Sequence, residues 1–360
     1  MSELIRSVPS YFSSLTARRQ IADLGQQVGR ASQEISTGLK TDIYQALGRR
    51  SAEAIELHGR ADRNDGFLSS NSMLRGRLET AASGLAGIRD AAQEFLDLAV
   101  GNRGDKGPSV RELQTAARAA LDRILPQANL AYNGKSVFAG VDSGTIPLVG
   151  WTEVNAQTGM SPQQVVTNVI GGGVTDAADA QAKVDQLTDI FASSAAAAPG
   201  TAFEETFYRG TPLLDGAGNP SPRLTARVDE RTVLEHGIQV NDPAFTDLFR
   251  GLAMVAATDV SAIDDTGAYQ VWMNQAVDSV SSGIDGILRS ETMLGSQQQI
   301  LERTVEQQET RADLYKSRLV ALEAVDPYEA ATRLSLLQSQ LEATYAVTAR
   351  ISRMTFLNYM

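Results

Sequence analysis

From Val277 to Leu322 the apolar side of the sequence advances in alternating steps of four and three without a slip. Val277, Val280, Ile284, Ile287, Leu294, Leu301, Val305, Ala312, Tyr315, Leu319 and Leu322 hold this line, with Glu291, Gln298 and Gln308 in its remaining places. Such a repeat puts a narrow apolar stripe on one side of an α-helix and demands a helical partner. A helix over these residues would run about 70 Å at ~1.5 Å per residue. Its partner must be of similar length, and the sequence supplies one. A second seam passes through Leu74, Leu78, Ala81, Leu85, Ile88, Ala92, Phe95 and Ala99. Helix-favouring residues extend it upstream to Ser51, and Gly101 to Pro108 ends it. A further helix carries Leu113, Ala117, Ala120 and Ile124, with Pro126 expected to kink or shorten it.

Shorter seams lie at the two ends. Ala17, Ile21, Leu24, Val28, Ala31 and Ile35 form one, which stops at Ser36-Thr37-Gly38; Asp42 to Gly48 reads as a linker. Val325-Asp326-Pro327 breaks the long C-terminal helix. A last helix follows, with Leu334, Leu337, Leu341, Thr344, Thr348 and Ile351 on one line. Each N-terminal element thus has a C-terminal counterpart. The expected fold is mainly α: an elongated antiparallel helical bundle or coiled coil built from both termini. Between its halves sits a mixed α/β or β-rich central insert. There the texture changes to Gly171-Gly172-Gly173, most of the eleven prolines, one helix over Asp176–Ala198, and a hairpin of Leu224–Val228 with Thr232–Gln239.

The expected division is 1–38 as an N-terminal assembly helix, 39–140 as the first half of a helical core, 141–264 as the insert, 265–326 as the second half of the core, and 327–360 as a C-terminal assembly helix. Because the insert boundaries fall in turn-rich sequence, its removal is expected to leave a soluble helical protein. The seam residues Ile21, Leu24, Val28 and Ile35 are expected to pack on Leu334, Leu337, Leu341 and Ile351, within a subunit and against neighbours. A cytoplasmic coiled-coil adaptor would use the same residues in the same way.

Composition narrows the function classes. Hydrophobic residues make up 42% of the sequence but aromatics only 6%, which suits helix seams of Ala, Leu, Val and Ile. The net charge is -11, and the basic residues are scattered among acids, so no nucleic-acid partner is expected. There is no cysteine, which excludes disulfides, thiolate metal sites and thiol nucleophiles. The first residues, MSELIRSVPSYFSS, contain no apolar run of signal-peptide length, and no stretch approaches a membrane span. The protein either stays in the cytoplasm or leaves by a route that reads no cleaved signal.

No catalytic constellation emerges, and neither an enzymatic role nor a cofactor or metal is expected. The only histidines, His58 and His236, are far apart. Glu235-His236-Gly237-Ile238-Gln239 lacks the second histidine of a metallopeptidase helix. Gly171-Gly172-Gly173 is followed by no phosphate-loop lysine, and the pairs Asp229-Glu230 and Asp264-Asp265 read as solvated turns.

Three motifs resemble the flagellin superfamily. Ser36-Thr37-Gly38-Leu39-Lys40 is similar to the turn that ends its first helix. Asn133-Gly134-Lys135-Ser136-Val137-Phe138-Ala139-Gly140 resembles the segment that leads from its helical core into the outer domain. Leu336 to Tyr345 and the ending Phe356-Leu357-Asn358-Tyr359 resemble its C-terminal signature. Within the family the resemblance is strongest to the hook–filament junction class of flagellin-like hook-associated proteins. Thr41-Asp42-Ile43-Tyr44-Gln45 replaces the run usual in filament flagellins after Lys40, and the C-terminus lacks their Gln-Ala-Asn pattern. The resemblance implies export to an extracellular flagellum without a cleaved signal peptide, with the help of an export chaperone. It further implies a ring of copies of the protein, placed between another hook-associated protein and the first flagellin subunits. The alternative within the family is a filament subunit.

Overall fold

Local signals set the helix boundaries. In a computed structural model of the protein, the backbone of residues 4–357 is described, together with the side chains of residue 12 and of residues 15–350. Helix α1 (Leu4–Thr37) stops at Gly38, whose φ of 71° lies in the left-handed region and whose N–H bonds back to the Glu34 carbonyl at 2.8 Å. A short helix α2 (Ile43–Leu47) fills the expected linker, because the Asp42 carboxylate accepts the Gln45 N–H at 2.9 Å and caps it. Helix α3 (Ser51–Val100) covers the second seam in one piece. Helix α4 (Leu113–Ala128) continues only two residues beyond Pro126, so the proline falls in the last turn. The long C-terminal seam becomes α8 (Thr266–Glu323), and Asp326-Pro327 opens α9 (Pro327–Leu357), with the Asp326 carboxylate accepting the Tyr328 N–H at 2.8 Å.

The middle of the sequence is folded too. A two-residue-strand hairpin, β1 (Ala131–Tyr132) and β2 (Lys135–Ser136), turns through Asn133-Gly134. Helix α5 (Pro162–Ile170) begins with a capping box between Ser161 and Gln164. Helix α6 (Ala177–Phe191) is capped by Asp176; it ends short of the expected Ala198 because Ser193 adopts a φ of 50°. The expected second hairpin is present as β3 (Thr225–Arg227) paired antiparallel with β4 (Val233–Glu235). Helix α7 (Pro243–Ala257) then leads to α8. The protein is 67% helical, a mainly α bundle from both termini with a small strand-containing central region.

Contacts divide the molecule into two units: residues 1–66 with 307–360, and residues 67–306. The second unit holds one buried cluster that joins α3, α4 and α8 to the insert, from Leu78, Ile88 and Ile124 through Phe203 and Phe245 to Trp272 and Ile284. The sequence boundaries at residues 140 and 264 both fall inside this unit. Helix α7 lies hard against α8 because glycines meet there. A Cβ at Gly283 would sit 2.7 Å from Leu248 Cβ and 2.8 Å from its Cα, and one at Gly251 would sit 2.6 Å from the Ala276 carbonyl oxygen. The first unit has its own small cluster of Ala54, Leu57 and Leu322, with Ile43, Leu47, Tyr315 and Leu319 against it.

Candidate assembly surface

The terminal helices α1 and α9 pair along their lengths in the first unit. Their tightest points are small residues, Ala31 at 2% and Ala330 at 1% relative exposure. Ile21, Leu24 and Val28 on α1, and Leu334 and Leu341 on α9, are half-buried along the pairing, and Leu337 is buried. Ile35 is the least covered of the described seam residues, at 39% exposed. Glu34 takes the inward place instead, its carboxylate 3.6 Å from the Arg333 guanidinium and accepting the Thr41 N–H at 3.1 Å. Ile351 lies outside the residues whose side chains are described, as do Met354 and the Phe356–Tyr359 motif.

The base of the pair is tied by main chain. Leu39 and Ala324 form an antiparallel bridge, the Lys40 N–H donates to the Glu323 carbonyl at 2.8 Å, and the Val325 N–H donates to the Gly38 carbonyl at 3.0 Å. The Lys40 ammonium donates to the Leu322 carbonyl at 2.8 Å. The Glu323 side chain, nearly buried, meets His58 Nε2 at 2.7 Å. The Ser36–Lys40 motif is therefore a strap that clamps the α8–α9 break. Sequence periodicity saw the stripes but not this strap, whose partners lie about 285 positions away (from residues 38–40 to residues 323–325).

Two-helix pairing leaves much apolar surface open. Leu336, Tyr345 and Val347 on α9 are more than half exposed, and so is Phe12 on α1. Thr16, Thr344 and Thr348 donate their hydroxyls to carbonyls four residues back in their own helices. That satisfies the polar atom and leaves a methyl for contact. With Ala17 and Ala343 these threonines line a shallow groove between the helices. The surface offers apolar area to a further helix face, and among the described side chains it carries no set of groups for acid–base or nucleophilic chemistry.

The remaining sequence candidates have local roles. Asp265 caps α8 through the Ala268 N–H at 2.7 Å. The Asp229 carboxylate accepts the Glu230 N–H, and Gly171 caps α5. Burial pushes the His236 imidazole down to about 4, with the nearby Arg77 guanidinium acting in the same direction. Among the described residues no group of three His, Asp or Glu side chains could hold a metal ion, and no helix is long and apolar enough to cross a membrane.

The second motif, Asn133–Gly140, forms the β1–β2 turn and then enters the core. Phe138 and Ala139 are fully buried. Gly140 has a φ of 76°, and a Cβ there would lie 2.8 Å from Thr211 Oγ1. Only a glycine meets both conditions.

Two family models match the sequence. Residues 8–143 match the bacterial flagellin N-terminal helical region, and residues 273–360 match the bacterial flagellin C-terminal helical region. Direct comparison with curated proteins gives no match.

Proposed function

The chain belongs to the flagellin superfamily, and on that premise we propose that it forms the hook–filament junction rather than the filament itself. A flagellin-family protein is a structural component of the flagellum, and the family is not enzymatic. The observation that carries the finer reading is the segment after Lys40. Thr41-Asp42-Ile43-Tyr44-Gln45 departs from filament flagellins, and the departure is built into the base of the terminal pair. The Thr41 hydroxyl donates to the Arg30 carbonyl at 3.3 Å, its N–H donates to Glu34, and Asp42 starts α2.

On this reading residues 1–38 and 327–360 are assembly helices whose open faces are covered by neighbouring copies in a ring. Ile21, Leu24, Val28, Ile35, Leu334, Leu337, Leu341 and Ile351 form the assembly seam. Segments 39–140 and 265–326 form the wall, and 141–264 faces outward. Ile35, partly exposed within one subunit, is then available to a neighbour. The ring joins another hook-associated protein to the first flagellins, and a chaperone escorts the protein through export without signal cleavage.

A deletion strain tests the proposal. It should build hooks, fail to retain filaments and release flagellin into the medium. Normal attached filaments would remove the junction role, and absence of flagellin itself would identify the protein as a filament subunit.

A further inference from the structure

Asn133 is the only one of the eleven asparagines that is followed by glycine. It sits at the tip of the β1–β2 hairpin, where Tyr132 pairs with Lys135 and Ala131 with Ser136. Asn133 and Gly134 both have positive φ, 49° and 73°, which makes the tip a two-residue turn of the kind that matches strand twist. Both residues are exposed. The Gly134 N–H meets no acceptor among the described residues, and nothing lies within 4 Å of the place a Gly134 Cβ would take. Below the tip the hairpin is held by Tyr132 over Gly76, by the Arg77 guanidinium donating to the Ser136 carbonyl at 2.8 Å, and by the Ser136 N–H donating to the Ser143 carbonyl at 2.7 Å.

From this geometry we infer that Asn133 is a site of spontaneous deamidation in the folded protein. The Gly134 backbone nitrogen attacks Asn133 Cγ and gives up its proton. The Cγ–Nδ2 bond of Asn133 breaks, ammonia leaves, and a five-membered succinimide remains. Water then adds to one of its two carbonyls and opens the ring to aspartate or isoaspartate. The sum is Asn plus water giving Asp or isoAsp plus ammonia, and no oxidant or cofactor is consumed. Three features favour the step at this position. The attacking nitrogen belongs to a residue with no Cβ to obstruct it, it is not tied up in the ladder, and the ladder beside it is short: two residues on each side and one further bond from the Val137 N–H to the Leu130 carbonyl.

The product matters because of what the turn holds. Isoaspartate routes the main chain through an extra methylene, so a two-residue tip no longer fits the Tyr132–Lys135 register. The next residues, Val137 to Gly140, are buried in the core of the second unit. A carboxylate also appears where an amide stood.

The test is to incubate the full-length protein at mildly alkaline pH in ¹⁸O-water and to map the label by tandem mass spectrometry. The peptide Ile124–Lys135 carries both Asn129 and Asn133. Asn133 should lose its amide progressively, incorporate ¹⁸O and yield some isoaspartate recognised by an isoaspartyl methyltransferase. Asn129, followed by Leu and bonded to the Leu148 backbone through both side-chain polar atoms, should stay intact. Asn133→Gly, which keeps a turn-compatible residue, should abolish the signal at this peptide. Conversion at Asn133 only after unfolding in urea, or no faster than at Asn129, would overturn the inference.

Discussion

His236 shows how one side chain ties stability to pH. Its imidazole is held neutral by burial, with a pKa of about 4 against the usual 6.5. Between those values the unfolded protein binds a proton that the folded protein refuses, so acid favours unfolding. The stability is fully present above about pH 6.5, falls as the pH drops toward 4, and levels off below it. The slope is about 1.4 kcal/mol per pH unit, with a ceiling near ~3 kcal/mol that the ring's partial exposure lowers. Denaturant midpoints at about pH 7 and about pH 4.5 should therefore differ more in the wild type than in His236→Gln. Equal pH dependence in the two proteins would show that the ring protonates freely. Gly140 and Gly283 act at the same scale in another way, since each is read from what a methyl would strike rather than from any contact it makes.

Helices of similar sequence texture are held very differently. Helix α7 has ten buried residues in a span of fifteen. Among the described side chains of the thirty-four-residue α1, only Ala31 is buried, and on α9 only Ala330 and Leu337 are. Burying a branched side chain fully is worth about 1.5–3 kcal/mol, so α7 is locked while α1 and α9 rest on half-covered seams. Opening free energies should follow. Hydrogen exchange on a verified monomer should be slow across α7 and Tyr269–Ile287 of α8, and fast across α1 and α9. Uniform protection of Ile21–Ile35 and Leu334–Leu341 at the level of α7 would contradict this account, and with it the need for neighbouring copies to cover the open faces.

At the scale of the molecule, the two units differ in how they use the middle of the sequence. The second unit has one core, and the insert supplies much of it. Leu121 and Leu125 of α4 face Phe191, Phe203, Phe207 and Phe249. Leu248 and Gly251 of α7 cover Val280 and Gly283 of α8. Deleting 141–264 would uncover these residues, so the buried cluster argues against the tolerance expected from turn-rich boundaries. The shortened protein should keep helical circular dichroism but lose a cooperative melt and bind a hydrophobic dye. A soluble, cooperatively melting product would show that the helices form a core without the insert.

What the sequence determined by itself is what short-range physics decides. The stripes on α1, α3, α8 and α9 follow from periodicity, and their ends at Gly38, Gly101 and Pro327 follow from backbone chemistry that acts over a few residues. The flagellin-like motifs were legible for the same reason, being contiguous. The tertiary structure decided which faces meet. A strict heptad line through Ala31 continues to Ile35, yet an α-helix turns every 3.6 residues and the stripe drifts. Arg333 and Thr41, both outside α1, draw Glu34 inward in its place. The attachment of the insert was hidden likewise, because the Phe191, Phe203 and Phe207 cluster and the α7–α8 glycine contact join segments whose apolar residues show no common period. Burial chooses partners by shape across the whole molecule, and no local window of sequence contains that choice.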